Sequence, residues 1–403
     1  MRTPMPRLVG WSLLAATTIA FAAAGPLDEA AAQSYSLEDL LTLSKRSIEN
    51  ADWFTGRSSI ALAATDNGYV AGFSAISGNY SGVPWFMSAV RWDDDGIENL
   101  GVLGPRVPPP SFPKPESRAF DVNSLGQVVG RSNQPFAMFQ GFLWLPSPAF
   151  DLGPGMHALP ELPNGATQAY SINDAGSIVG ESRPAGSIGP RPVLWTYDTA
   201  SKQWTITDLG DLGGPYGRAF KVNEKGQVAG EANVPTGSLR SFLWLPTTDY
   251  GLPPGMHDID PSQESSSPRG LNEKGQIVGW IGLGEPYLWL PEPDYGLPAG
   301  TNILSLARIP DAVSAWPQAI NNDGIIVGQV GLYVYVGGRY VWYFHAIVWI
   351  DGQEYLLEDL LYPADDWWLI NAYDVTSAGL IVGNGIPPGD PLASHAVRLT
   401  PGP

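Results

Sequence analysis

The chain has 403 residues, a net charge of −18 and no cysteine. The charge opposes binding to nucleic acid or an anionic membrane, and the lack of thiols excludes a disulfide framework, a cysteine nucleophile and a cysteine-linked lipid anchor. Apolar residues make up 44%, with 15 tryptophans, 47 glycines and 38 prolines, a composition of strands and turns around a core rather than of helices or disorder.

The N-terminus reads as a targeting segment. Arg2 and Arg7 precede an apolar run from Leu8 to Ala24, and small residues suit cleavage after Ala24 or Ala32. Gly25 and Pro26 break that run, which is short for a membrane span, and no later stretch is long and apolar enough to cross a bilayer. Residues 1–32 are therefore expected to be a signal peptide, and 33–403 a single exported domain, extracellular or periplasmic and monomeric.

A nine-residue phrase then recurs. "ATDNGYVAG" ends at Gly72, "VNSLGQVVG" at Gly130, "INDAGSIVG" at Gly180, "VNEKGQVAG" at Gly230, "LNEKGQIVG" at Gly279, "INNDGIIVG" at Gly328 and "VTSAGLIVG" at Gly383. Seven units of roughly 50 residues lie in the range of kelch-type β-propeller repeats. Asn at the first turn position and Gly at the fourth suit a type I turn with a positive-φ bulge, so the phrase predicts a hairpin. The two central turn residues vary, as expected where they face water. The second glycine lies within a strand and predicts close approach of a neighbouring backbone or ring.

Each unit has further parts. A segment of the form A-x-x-[IV] precedes the phrase, as in "AFDV" from Ala119. An "LW"-type segment follows it, carrying Trp92, Trp144, Trp195, Trp244, Trp289 and Trp349, with Leu399 in the seventh unit. These tryptophans read as wedges between blades. A third phrase, as in "ENLGVLG", "TDLGDLGG" and "YLLEDLL", completes some units. Short apolar segments between turn residues are strands, and four per unit in a meander make a propeller blade. The fold class is all-β, a seven-bladed β-propeller. The seventh unit lacks its third phrase, while an orphan copy, "YSLEDLL" (Tyr35 to Leu41), stands before the first unit. That orphan is expected to pair beside Ala396 to Leu399 and close the ring.

The segment "DLGDLGGPYGRAFKVNEKGQVAGEANVPTGSLRSFLWLP" (208–246), with "HAIVW" from His345 and "HAVRL" from His395, resembles the HAF family of bacterial extracellular repeats. The resemblance spans nearly all of the chain after residue 32. It implies an exported repeat protein and brings no catalytic residues to assign.

Chemical motifs are scarce. The four histidines, His157, His257, His345 and His395, have no partner at metal-ligand spacing, and no nucleophile elbow, phosphate loop or dinucleotide fingerprint is present. Asp93, Asp94 and Asp95, before Gly96, read as a solvated hairpin turn; oxygen ligands for Ca²⁺ are the alternative. Asp365 and Asp366 read the same way. Three similar inserts follow "LWL" strands, at 146–163, 246–262 and 291–306, and are expected together on one face of three neighbouring blades. The stretch "VGLYVYVGGRYVWYFHAIVW" (330–349) reads as a lengthened hairpin turning at Gly337 and Gly338. Its Tyr333, Tyr335, Tyr340, Trp342 and Tyr343 are the candidate ligand-binding surface; padding of a blade edge is the alternative. The leading functional expectation is a non-enzymatic binding module for an extracellular protein or glycan, without catalytic, cofactor or metal residues. A secreted hydrolase or lyase with a loop-built site, and a structural envelope component, are the alternatives.

Overall fold

The computed structural model describes residues 33–43, 58–76, 86–104, 116–133, 139–163, 165–260, 262, 264–390 and 393–402. The signal-peptide expectation falls on residues 1–32, outside the described residues.

Among the described residues, twenty-eight strands form seven antiparallel four-stranded sheets. Blade 1 comprises Ser59–Ala64, Val70–Ile76, Phe86–Asp93 and Gly96–Gly101. Blade 2 comprises Ser117–Val122, Val128–Asn133, Phe139–Leu145 and Gly155–Ala158, and blade 3 Ala166–Ile172, Ile178–Arg183, Arg191–Asp198 and Gln203–Asp208. Blade 4 comprises Gly217–Val222, Val228–Asn233, Leu239–Leu245 and Gly255–Asp258, and blade 5 Ser266–Leu271, Ile277–Ile281, Glu285–Leu290 and Gly300–Ile303. Blade 6 comprises Ala312–Ile320, Ile326–Val336, Arg339–Ile350 and Gln353–Leu356. Blade 7 combines Trp368–Val375, Ile381–Ile386 and His395–Pro401 with Tyr35–Asp39 from the start of the chain. Residues of all seven first strands line one cavity, so the blades are radial and the fold is a seven-bladed propeller.

Closure occurs where the orphan phrase predicts it. Leu37 pairs with Leu399 and Asp39 with Val397, and the Leu40 amide donates to the Ala396 carbonyl at 3.0 Å. The matching phrase in blade 6 departs from expectation. After Gln353–Leu356 the chain winds into a 3-10 turn over Leu357–Leu360, and Leu361 makes a parallel bridge to Tyr35. Leu357, Leu360 and Leu361 bury beside Tyr35 and Trp367 in one cluster. The phrase thus fills the seam between blades 6 and 7 instead of extending a strand.

Each repeat turn takes the expected form. In blade 6 the Gly324 amide donates to Asn321 O at 3.2 Å, the Asn321 amide to Ile325 O at 3.0 Å, and Gly324 has φ +85°. A Cβ there would lie 2.7 Å from the Tyr295 ring. Asp323 is exposed. Gly324→Val is therefore expected to lower the melting temperature well beyond Asp323→Ala, because it combines positive-φ strain with a ring clash. Equal melting temperatures would show that the turn tolerates a Cβ.

The second glycine faces a bulge. The first strand of every blade skips one residue of register, as between Ala119 and Asp121 opposite Gly130. A Cβ on Gly130 would sit 2.0 Å from Arg118 O. The tryptophans are inter-blade wedges, as expected. Trp92, Trp195 and Trp349 are buried, and each indole N–H bonds a carbonyl of the preceding blade's outer segment: Leu40 at 2.8 Å, Pro160 at 2.7 Å and Ser305 at 2.9 Å.

The three inserts differ from their reading in two ways. They occur on blades 2, 4 and 5, with blade 3 interrupting the series, and they are not mere loops. Their "GMHA", "GMHD" and "GTNI" segments are the fourth strands of those blades. Phe150, Tyr250 and Tyr295 in the inserts each lie against the turn glycine of the next blade, Gly176, Gly275 and Gly324. The inserts act as straps between blades.

Candidate functional site

The seven first strands build a central channel whose two ends differ. At the end carrying the repeat turns, asparagines form a belt. The side-chain amide of Asn123 donates to Asn173 O, Asn173 to Asn223 O, Asn223 to Asn272 O, Asn272 to Asn321 O and Asn321 to Thr376 O, all at 3.0–3.1 Å. The same Asn side chains accept amide N–H groups of their own turns, as Asn223 does from Gln227 at 3.0 Å. The repeated Asn thus caps one blade and holds the next. The first central turn residues do not simply face water. Asp174 accepts from Ser124 N at 2.8 Å, Glu224 from Asp174 N at 2.8 Å and Glu273 from Glu224 N at 3.0 Å. These carboxylates make the turn-side mouth acidic and are engaged in blade-to-blade bonds.

Just inside that mouth lie Asp121, Lys221 and Asp374. Asp121 accepts the Ile172 amide at 3.1 Å and Asp374 the Ala64 amide at 3.0 Å, each from the following blade. Lys221 Nζ lies 3.4 Å from Asp121. Burial pushes the Asp374 carboxyl above its usual range, with Lys221 opposing. Burial disfavours the Lys221 cation, but Asp121 and Asp374 outweigh it and raise its pKa. The Lys221–Asp121 contact joins blades 4 and 2 across the channel, and the Asp374 carboxyl of blade 7 adds its charge to the same group.

The opposite end is built from the bulges. The skipped residues, Phe120, Tyr170, Phe220 and Arg269 on blades 2 to 5, meet around the channel. Phe120 and Tyr170 centroids are 5.5 Å apart, Tyr170 and Phe220 5.6 Å, and Arg269 stacks on Phe220 at 4.1 Å. Two residues earlier in these strands, and on the strands beside them, a polar network crosses the same blades. Arg131 donates to Gln168 at 2.7 Å, Gln168 to Glu181 at 2.6 Å and Arg218 to Glu181 at 2.6 Å, while Ser267 donates to Glu231 at 2.7 Å. Gln168, Glu181 and Arg218 also wall a pocket of about 570 Å³ between blades 2, 3 and 4, with the rings of Phe139 and Tyr216. Burial pushes the Tyr170 hydroxyl well above its usual range. The sequence concealed this site because the first x of A-x-x-[IV] looks like a variable strand position. The available signal was its composition: Phe120, Tyr170, Phe220 and Tyr373 are aromatic at four of the seven copies.

The long hairpin rises from this same face. Strand 330–336 pairs with 339–345 around Gly337 and Gly338, both with positive φ. Tyr333 lies opposite Trp342 and Tyr335 opposite Tyr340, which puts these four candidate residues on one side. Tyr333 stacks on Tyr340 at 4.8 Å and 13°, and Trp342 on Phe344 at 6.1 Å and 12°. Phe344 then contacts Trp316 at 6.0 Å. Trp316 occupies on blade 6 the register position that Arg118 and Arg218 hold on blades 2 and 4. An aromatic stripe therefore runs from the hairpin tip to the channel mouth. Tyr335 is 63% exposed and Tyr340 59%, so the outer stripe faces solvent. Tyr343 lies on the other side of the hairpin, half-buried against Trp368 at 6.1 Å. It drops out of the stripe because strand side chains alternate, and Phe344 and Trp316 take its place.

The remaining candidates serve the frame. His157 and His257 bond Gly153 O and Pro253 O within their inserts, each at 2.7 Å. His345 meets Glu358 at 2.8 Å and His395 meets Asp39 at 2.9 Å, each joining a third strand to the "LEDLL" phrase beside it. Asp93 accepts Arg91 at 3.2 Å and the Asp95 amide at 3.0 Å in its turn. Asp365 accepts the Asp366 amide at 2.8 Å. Among the described residues, no group of three or more His, Asp or Glu is placed to hold a metal ion, and no helix is long and apolar enough to cross a membrane.

No family model matches the chain, and no curated protein matches its sequence. Solved structures match at low identity. The β-propeller domain of the trilobed protease from Pyrococcus furiosus is 10% identical with a TM-score of 0.48, over 85% of this chain and 93% of that one. TolB from Acinetobacter baumannii is 14% identical with a TM-score of 0.40, over 71% of this chain and 62% of that one. The six-bladed Aleuria aurantia lectin is 10% identical with a TM-score of 0.36, over 75% of this chain and 94% of that one.

Proposed function

We propose that the protein is an exported, non-enzymatic binding module of HAF-repeat type whose ligand is a glycan held along the aromatic stripe. The carrying observation is the stripe itself. Two stacked pairs of exposed rings, Tyr333 on Tyr340 and Trp342 on Phe344, lead through Trp316 toward a channel mouth that carries Arg, Gln, Glu and Tyr side chains. Flat rings pack against the apolar faces of sugars, and planar polar groups bond their hydroxyls, the usual division of labour in a ligand site. The buried acids of the mouth fit binding better than hydrolysis. Glu181 already accepts bonds from Gln168 and Arg218, and Glu231 from Ser267. Export rests on the N-terminal charge and hydropathy pattern at Arg2 to Ala24.

The test is a glycan array followed by equilibrium binding of the best saccharide to the wild type and to a Tyr340→Ala, Trp342→Ala double variant. Both side chains are partly exposed on a hairpin outside the blade cores, so the melting temperature should shift by no more than ~2 °C while affinity falls at least ~10-fold. Failure of every saccharide to bind, capture of a protein partner through the stripe instead, or unchanged affinity in the double variant would overturn the reading.

A further inference from the structure

We propose that the channel mouth at blades 2 to 4 selects an anionic sugar, binding its carboxylate or sulfate through the paired guanidinium groups of Arg118 and Arg131. This rests on the glycan reading and adds the charge of the ligand to it.

The argument starts from pairing. Arg118 and Arg131 are direct cross-strand partners on blade 2. Like charges opposite one another on a sheet face are unfavourable, and a chain with 40 acidic residues has ample means to neutralise them. It does so elsewhere: Arg91, Arg191, Arg240 and Arg398 each reach a carboxylate. At the mouth it does not. Among the described residues, neither Arg118 nor Arg131 makes an ion pair, and the Nε of each is buried without a hydrogen-bond partner. Their planes rest on rings instead, Arg118 on Phe73 at 4.9 Å and Arg131 on Phe139 at 4.0 Å.

Stacking fixes a guanidinium in place and leaves its in-plane N–H groups available, the fork geometry that matches carboxylate or sulfate. Burial and then the neighbouring Arg118 disfavour the Arg131 cation, while Glu116 and Glu181 oppose this from beyond bonding distance. An arriving anion relieves both penalties. Arg131 adjoins the 570 Å³ pocket, because it bonds Gln168 of the wall and stacks on Phe139 of the rim, and Arg118 is its cross-strand neighbour. Phe139 and Tyr216 then offer faces to the sugar ring. Of the two cations lining the pocket, Arg218 is already joined to Glu181, while Arg183, exposed at the rim, reaches the Ile188 carbonyl at 3.4 Å.

The test compares a galacturonic acid hexamer, its fully methyl-esterified form and a sulfated hexasaccharide of neutral sugars, titrated against the full chain at low and high salt. At least one anionic hexamer is expected to bind at least ~10-fold more tightly than the neutral ester, with affinity falling as salt rises. Which anionic hexamer binds decides between carboxylate and sulfate. Arg118→Gln should remove most of that preference, weakening the anionic hexamer far more than the ester, with thermal unfolding confirming an intact fold. Arg118→Lys, which keeps charge and loses the fork, should fall between. Equal binding of ester and anionic hexamers would overturn the proposal and leave the glycan reading standing. Binding of no saccharide would overturn both.

Discussion

Removal of residues 33–43 is expected to lower the melting temperature sharply and to make the protein aggregate. Those residues supply the fourth strand of blade 7, so without them the Val397-to-Pro401 edge loses its ladder. An exposed edge strand recruits other chains. The loss also reaches beyond one blade. Trp92 of blade 1 loses the Leu40 carbonyl that holds its indole, and His395 loses Asp39. Arg398 loses Glu38 at 2.8 Å, and the amide of Tyr362 loses the Tyr35 carbonyl at 2.8 Å. Tyr35 is buried in the cluster that joins blades 6 and 7, and burial pushes its phenol pKa up to about 12. Tyr35→Ala alone should therefore cost about 3–5 kcal/mol, the range for truncating a large aromatic in a core. Thermal unfolding followed by light scattering checks both variants. A deletion protein that matches the wild type both in melting and in scattered light would mean that the ring holds without this strand.

The ring was legible in the sequence where a physical demand recurs in every unit. Asn at the start of the turn, positive-φ Gly at its end and the orphan "YSLEDLL" each do one thing that few residues do. The turn glycine recurs in all seven units and the Asn in five, with Thr65 and Thr376 in the outer two, a constraint that cannot be mistaken. Other features were hidden because their pattern is weak. The fourth strands "GMHA", "GMHD" and "GTNI" are four residues long and only half-buried, so no alternation marks them. "LEDLL" has one sequence and two structures. In blade 7 it extends beside a free strand edge, while in blade 6 it coils into a seam that needs Leu357 and Leu360 inside. That choice belongs to tertiary packing. The side of the hairpin on which Tyr343 falls follows from period-two alternation and could have been read from Trp342 and Phe344. The channel mouth could not. Arg131, Gln168, Glu181 and Arg218 belong to three different repeat units, and only the ring geometry brings them together.

Gly230→Ala is expected to be among the most damaging single-methyl additions this chain can suffer. Its Cβ would lie 2.1 Å from the Arg218 carbonyl oxygen and 2.4 Å from the Phe242 ring. The clash is with backbone on one side and a fully buried ring on the other, so neither neighbour can swing away. The first strand of blade 4 bulges at this point, between Ala219 and Lys221, and the bulge brings the Arg218 carbonyl over the glycine. Overpacking of this kind costs about 1–3 kcal/mol, and more where the backbone itself must move. Gly153→Ala is the matched control. It adds the same methyl in an insert, with nothing within 4 Å, and should change stability by no more than about 0.5 kcal/mol. Equal unfolding midpoints for the two variants would contradict the close approach. The contact also couples fold to site. Arg218 carries the guanidinium that bonds Glu181 at 2.6 Å in the pocket wall, and Phe220, two residues on, carries Arg269. On the proposed glycan binding, whatever fraction of Gly230→Ala folds should bind saccharide more weakly than the wild type, although residue 230 has no side chain to offer a ligand. A folded variant with full affinity would separate the bulge from the site.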